Sequence, residues 1–365
     1  MITVESPPPV LRAPCSVSPS RWIRSARFDL AFFLAPSILA VVAVLTLPQF
    51  RSPELPGWAW LVFIVGIDVA HVWSSLYRTY FDPAEFARRR ALYVGLPIAC
   101  WAAGAILYGF GAHVFWRVMA YVAVWHFVRQ QYGFVMLYRH RAGERGGAWI
   151  DKLAIYATMV YPLVFWHADG ARVFAWFTPG DFVPLPRWTS TAAVAFYTVA
   201  IAVFVAQQIR TRSRNWGKIG VVASTAAVWY VGIVAFNSDF AFTITNVVAH
   251  GVPYVALVWL YGRRRWADDR GWRGAIHRPL AVPLFLGLVA LLAYVEEGAW
   301  DVFVWQEHAG FFGGLTLPVD LPPALVALVV PLLILPQLTH YLLDAWIWKF
   351  DGSNPGLREH VFGEP

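Results

Sequence analysis

The apolar positions of this chain gather into ten long blocks, near residues 28–48, 57–77, 91–112, 114–138, 150–168, 190–209, 217–236, 240–261, 279–296 and 323–348. A helix crosses a bilayer with roughly 20 mainly apolar residues, so each block predicts a membrane-spanning helix. The short break at Asn237-Ser238-Asp239 makes the seventh and eighth spans a tight hairpin. Residues 169–189 and 297–322, rich in Gly, Pro and aromatics, are expected to be longer loops capping the bundle.

The polar positions between the blocks divide by charge. After the even-numbered spans come RTYFDPAEFARRR, YRHRAGERGG, RTRSRNWGK and GRRRWADDRGWRGAIHR; after the odd-numbered ones come QFRSPELPG, GFGAH, the Pro/Trp loop, NSD and EEGAWDVFVWQEHAG. Nearly all the arginine thus falls on one side. By the positive-inside rule that side is cytoplasmic and holds both termini. The expectation is an all-α polytopic bundle over 28–349, with cytoplasmic tails at 1–27 and 350–365, in a bacterial-type inner membrane. The stretch before the first span ends in RWIRSAR and has no A-x-A cleavage site, so that span reads as a retained helix.

Composition agrees with this pattern. Of 365 residues 58% are hydrophobic and 14% charged, against about 25% charged in ordinary globular domains. The 20 Trp, 15 Tyr and 26 Phe suit a protein needing interfacial anchors at many crossings. The net charge of +7 sits in short basic runs between apolar blocks, which are topology determinants with some contact to anionic lipid, so nucleic acid is not an expected partner. Cys15 and Cys100 form no CxxC pair and suggest no disulfide framework.

Of ten histidines, His113, His167 and His308 fall at outer helix ends or in an outer loop, and His140, His277 and His360 among cytoplasmic charges. The other four lie inside spans: His71, His126, His250 and His340, on the second, fourth, eighth and tenth. Those spans run in the same direction, and each histidine sits in the half leading to the basic loop, so the four share one depth. Each has a polar residue one turn away: Asp68 with His71, Gln130 with His126, Asn246 with His250 and Asp344 with His340. Neutral imidazole is a metal ligand, a carboxylate adds charge or a further ligand, and a neighbouring acceptor fixes the tautomer. Carboxylates in the apolar zone are costly unless they point inward.

His71, His126, His250 and His340 are therefore the expected metal ligands, with Asp68 and Asp344 as co-ligands or orienting groups and Gln130 and Asn246 as hydrogen-bonding support. Asp68, Asp344 and Arg129 are the expected catalytic groups, Arg129 as a partner for an anionic substrate group or for Asp68 or Asp344. Gly251, Pro253 and Pro336 lie close by, where proline can kink a helix and open a cavity. Trp73, Trp125, Tyr132, Trp259, Tyr341 and Trp346 read as packing and interface residues, and Arg78 as a snorkelling boundary residue. A membrane histidine can also serve simply as an interhelical hydrogen-bond partner.

Single histidines on separate spans, paired with Asp68 and Asp344, resemble those of the Brp/Blh-type membrane carotenoid oxygenases, within the broader group of histidine-rich membrane oxygenases. The resemblance implies non-haem iron, dioxygen chemistry and a lipid-soluble substrate reached from the bilayer, with a redox partner of unspecified kind. The chain departs from the desaturase pattern: it has no HxxxH, HxxHH or HxxxHH box. Two other readings stay open. Histidine pairs can ligate haem b in an electron carrier, with Gly133 and Gly251 leaving room for the macrocycle, and zinc is a further candidate metal. The polar cluster can also serve as a proton or metal-ion path in a transporter, although it lies off the midplane and shows no inverted repeat.

Overall fold

The computed structural model describes residues 21–169, 172, 174, 177, 180–313 and 321–363; these are helices and connections, with no strand among them. Cys15, most of the tail at 1–27 and parts of the two long loops lie outside the described residues. The apolar blocks form α1 (Ala26–Thr46), α2 (Gly57–Arg78), α3 (Arg90–Gly109), α4 (Ala112–Arg141), α5 (Ala148–Asp169), α6 (Trp188–Arg210), α7 (Trp216–Ala235), α8 (Asp239–Arg265), α9 (Pro279–Trp305), α10 (Pro323–Leu333) and α11 (Leu335–Ile347). Eight of these are long and apolar enough to cross a membrane, and α10–α11, bent by 42°, makes a ninth if taken as one span. The protein is a multi-pass helical bundle. Helix α4 is 30 residues long but carries Arg117, His126, Arg129, Gln130 and Gln131, which makes it the least apolar of the long helices.

Helix α8 is the axis of the bundle: 83% of its apolar window is buried inside the protein, against 11% for α6 at the periphery. It packs against α1, α2, α7 and the short helix Leu357–Phe362. Around it α5 lies on α6, α3 on α10, and α9 on α2. Gly251 brings α8 and α2 together, because a Cβ there would stand 2.8 Å from Ile67 Cγ2 and 3.1 Å from the Ile67 carbonyl oxygen. Pro253 has no amide hydrogen for the Ala249 carbonyl, as an interior proline must. Helix α4 supplies substitutes: Gln131 Nε2 donates to Ala249 O at 3.1 Å and Gln130 Nε2 to His250 O at 2.8 Å.

The basic loops and both described chain ends meet at one end of the bundle. Arg141 donates to the Trp22 carbonyl at 3.1 Å, and Arg264 to the carbonyls of His360 and Val361. Arg89 reaches Ser353 O at 2.9 Å. Arg78 does not snorkel. It is buried over the Tyr261 ring, faces Glu85 at 3.4 Å and donates to Ile347 O and Asn354 Oδ1, so it pins the C-terminal segment. The Glu85 charge and these carbonyl acceptors offset part of the cost of taking the guanidinium out of water.

A second difference concerns the stretch expected to be an outer loop from residue 297. Helix α9 continues to Trp305 and keeps Glu296, Glu297 and Asp301 on the helix. Glu296 is buried and accepts from Trp73 Nε1 at 2.7 Å and from Gln337 Nε2. Inward hydrogen bonding of this kind removes the cost that made the carboxylate pair look like a span terminus.

Candidate metal centre

Four helices converge on one point. Helix α2 brings His71 after a ten-residue π-helical stretch, Trp60–Val69; π turns widen a helix and are frequent at functional sites. Helix α4 brings His126, α8 brings His250 beside the Gly251 contact, and α11 brings His340 one turn after Pro336, just beyond the 42° bend. All four rings are buried.

The rings form a closed circuit. Centroids lie 4.6 Å apart for His71–His250, 5.0 Å for His250–His126, 4.7 Å for His126–His340 and 5.0 Å for His340–His71. Each neighbouring pair meets edge to face, at interplanar angles from 66° to 86°. His71, His126 and His340 each offer a ring nitrogen, and these atoms all lie within 4.8 Å of one another. Nitrogens held about 2.1 Å from one ion are at most about 4.2 Å apart, so a small inward closure brings three of them to bonding distance. His250 completes the ring of four and stacks on Phe127 at 3.8 Å and 7°. His126 stacks on Tyr341 at 4.4 Å.

The polar bonding of these rings is incomplete. Both ring nitrogens of His71 and both of His250 are buried with no hydrogen-bond partner. Leaving a buried polar atom unmade costs about 1–3 kcal/mol. Each ring can turn one of its two nitrogens to an ion, and for His71 that nitrogen joins those of His126 and His340 in one group. His340 is fixed differently: its Nδ1 lies 2.6 Å from Ser75 Oγ and its Nε2 3.2 Å from His126 Nε2. The Ser75 hydroxyl contacts Tyr254 OH at 3.1 Å, and Tyr254 OH donates to Asp344 Oδ1 at 2.7 Å. With Nδ1 engaged by Ser75, the nitrogen His340 presents to the centre is Nε2, the tautomer control that metal-binding histidines commonly have.

The polar companions take different places. Asp68 Oδ1 lies 3.7 Å from His71 Nδ1, and Asp344 Oδ2 3.8 Å from His340 Nε2. Both carboxylates stand beside the ring of histidines, Asp344 also reaching it through Tyr254 and Ser75. Gln130 supports the backbone carbonyl of His250 rather than the imidazole of its own helix. Asn246 turns from His250 and donates to Phe242 O at 2.9 Å. Arg129 is a correction: it is exposed on the far side of α4, donates to Tyr156 OH at 3.0 Å and lies over Trp125 and Tyr132. Its adjacency to Gln130 in sequence turns it about 100° away from the face that holds the site.

Ser75 and Tyr254 belong to the site as well, and Tyr341, expected to be a packing residue, faces inward onto His126. A signal was present: Ser75 follows His71 by four residues, and Tyr254 follows His250 by four, so each shares its histidine's helix face.

A cavity of about 270 Å³ borders the centre. Asp68, Phe127 and Tyr341 line its end at the histidines, and Trp116, Trp166 and Trp300 are among its walls. No family model matches this chain, and neither a curated protein nor a solved structure does.

Proposed function

We propose that the protein is an integral-membrane, metal-dependent oxidoreductase that uses non-haem iron and acts on a lipid-soluble substrate. The observation that carries this reading is the four-histidine ring with its orphaned nitrogens, set against an aromatic cavity. Imidazole ligation with nearby carboxylates and open positions suits iron and dioxygen, which is also what the likeness to the Brp/Blh-type membrane oxygenases implies. Bound iron would supply dioxygen activation and the redox couple.

The chain's own residues do the rest. His71, His126, His250 and His340 would hold the ion. Ser75 fixes the His340 ring, and Tyr254 and Asp344 hold Ser75 in place. Asp68, at the boundary between cavity and His71, is placed to hold a proton beside the reacting end of the substrate. Phe127 and Tyr341 cover His250 and His126 with aromatic faces, which keeps water from the rings. The rings touch edge to face and leave no flat slot for a macrocycle, which favours a single ion over haem.

The reading places the protein in a bacterial-type inner membrane, with the site toward the cytoplasmic face and both termini inside. The described ends lie with the basic loops at one end, which supports an even number of spans and the reading of ten. Helix α4 is then the tenth.

Elemental analysis of the purified protein tests the proposal. Iron near one or two ions per chain is expected, with no Soret band, and with iron lost in His71→Ala, His126→Ala, His250→Ala and His340→Ala. Metal content unchanged in all four variants would overturn the site. Stoichiometric zinc without a redox-active ion would overturn the oxidoreductase. Flux of an ion or solute in proteoliposomes without turnover would favour transport instead.

A further inference from the structure

The cavity has a chemical polarity of its own, distinct from that of the histidine ring. Its charged lining side chains are all acidic: Asp68, Asp181 and Glu297. No lysine, arginine or histidine is among its described lining residues. Its neutral polar lining includes Asn246 and Gln337, and in both the amide nitrogen is already used. Asn246 Nδ2 donates to Phe242 O at 2.9 Å and contacts Thr245 Oγ1 at 3.3 Å, while Gln337 Nε2 donates to Glu296. That fixes which amide atom remains. Asn246 Oδ1 and Gln337 Oε1 are buried with no partner, and so is Asp68 Oδ1. Asn246 is 5% exposed, so solvent does not compensate it.

Among the described lining residues, every fully buried polar atom without a partner is thus an oxygen acceptor. An acceptor in apolar surroundings is satisfied only by an incoming N–H or O–H. A substrate with an anionic head would meet Asp68 and Glu297 and no basic side chain among the described lining residues, an arrangement that disfavours it. A pure hydrocarbon would leave the oxygens bare. The remaining walls are aromatic and aliphatic and suit an extended apolar chain.

Resting on the proposed function and naming the substrate class for the same site, we propose that the cavity binds a lipid-soluble alcohol, with its hydroxyl donating to Asn246 Oδ1, and that it turns away carboxylate-ended lipids. Asn246 and Gln337 lie four and three residues before His250 and His340, one helical turn away. The hydroxyl and the carbon that bears it therefore lie at the end of the cavity nearest the histidines, and the chain extends toward Trp116 and Trp305.

The test is competition against tritiated 1-hexadecanol on the full chain in neutral-lipid nanodiscs. The competitors are hexadecane, hexadecyl methyl ether, palmitate and unlabelled alcohol, and occupancy is compared at equal membrane content. A matched hydrogen bond to a buried acceptor is worth about 1–1.5 kcal/mol, so the alcohol should compete about tenfold better than the hydrocarbon or the ether. Palmitate should compete least. Asn246→Leu should bring the alcohol down to the level of the hydrocarbon while hydrocarbon binding stays, which shows the cavity intact. Alcohol and ether binding equally in the wild-type protein would overturn the proposal without any variant, and so would palmitate binding best. Repeating the titration after chelation separates the two proposals. Alcohol preference in a protein that never holds metal leaves this one standing and removes the oxidoreductase; stoichiometric iron with no alcohol preference does the reverse.

Discussion

Asp151 and His250 are both fully shielded from solvent, one among ions and the other among rings. Asp151 Oδ2 accepts from Arg139 and lies 3.2 Å from Lys218, and Glu144 joins the same pair of cations, 2.6 Å from Lys218 and 3.1 Å from Arg139. This cluster ties α4, α5 and α7 together with groups the chain supplies itself. The histidine ring ties α2, α4, α8 and α11 together, yet it leaves four ring nitrogens with nothing to bond. Burial of polar groups is common to both. The difference lies in degree: in the ion cluster every charge meets an opposite one and only Asp151 Oδ1 lacks a partner, which serves the fold, whereas a ring with four unbonded nitrogens calls for something from outside.

The largest test of that contrast is to break the closed cluster. Asp151→Ala leaves Arg139 and Lys218 with less charge to face them, and removing one member of a buried ion group costs about 3–5 kcal/mol. The expected outcome is a large drop in thermal stability of the solubilised protein. A His250→Ala change removes no hydrogen bond of that ring and should lower apoprotein stability less than Asp151→Ala does. An equal or greater loss for His250→Ala would erase the distinction.

Next comes Gly251→Ala. The new methyl would press on Ile67 at 2.8 Å, and overpacking of this kind costs about 1–3 kcal/mol. Because α2 and α8 must separate, the His71–His250 spacing widens, so metal content should fall along with stability. A stable variant with full metal content would show that the close approach is incidental.

Tyr254→Phe acts on the supports of the ring. It removes the hydroxyl between Ser75 and Asp344, freeing Ser75 and with it the His340 ring. Outer partners of metal ligands are typically worth 10–100-fold in affinity; here about tenfold weaker metal binding is expected, read by chelator competition, with little change in fold.

The smallest effect is a pH dependence at the basic end. Burial pushes the Glu85 carboxyl up, but Arg78, Arg88 and Tyr93 outweigh it and hold it below its ordinary value. Asp82 is likewise held low against burial, by Arg265 and the amides of Glu85 and Ala84. A carboxyl depressed on folding adds stability above its unfolded value near 4, and that stability is lost as pH falls through the folded value. Wild type should therefore be more stable than Glu85→Gln at pH 7, with the gap closing below about pH 4. A gap that persists into acid would place the effect in packing instead.

Much of this was legible in the chain. Long apolar blocks fix helices within a few residues, because crossing a bilayer takes about 20 mainly apolar residues in a row. The histidines were legible because four helices running in one direction carry them at one depth. Two things resisted. Glu296-Glu297 looks like the end of a span, since a sequence shows the cost of a carboxylate but not Trp73 and Gln337 satisfying it across helices. Arg129 looks like part of the site because it neighbours Gln130, while one residue along a helix is a different face. Partners distant in the chain, such as Tyr254 with Asp344, come into view only when the helices are packed.

The π-helical stretch Trp60–Val69 has a consequence for how the site tolerates change. A π turn holds one residue more than the α turn it replaces, so it stores a surplus residue in front of Asp68 and His71. Deleting one residue between Leu61 and Gly66 would let a π turn relax to ordinary α-helix with both ends near their present faces, whereas inserting one would turn the ends against each other by about 100°. Either the outer half of α2 or the His71 face would then lose its partners. In that stretch the site tolerates a lost residue better than a gained one.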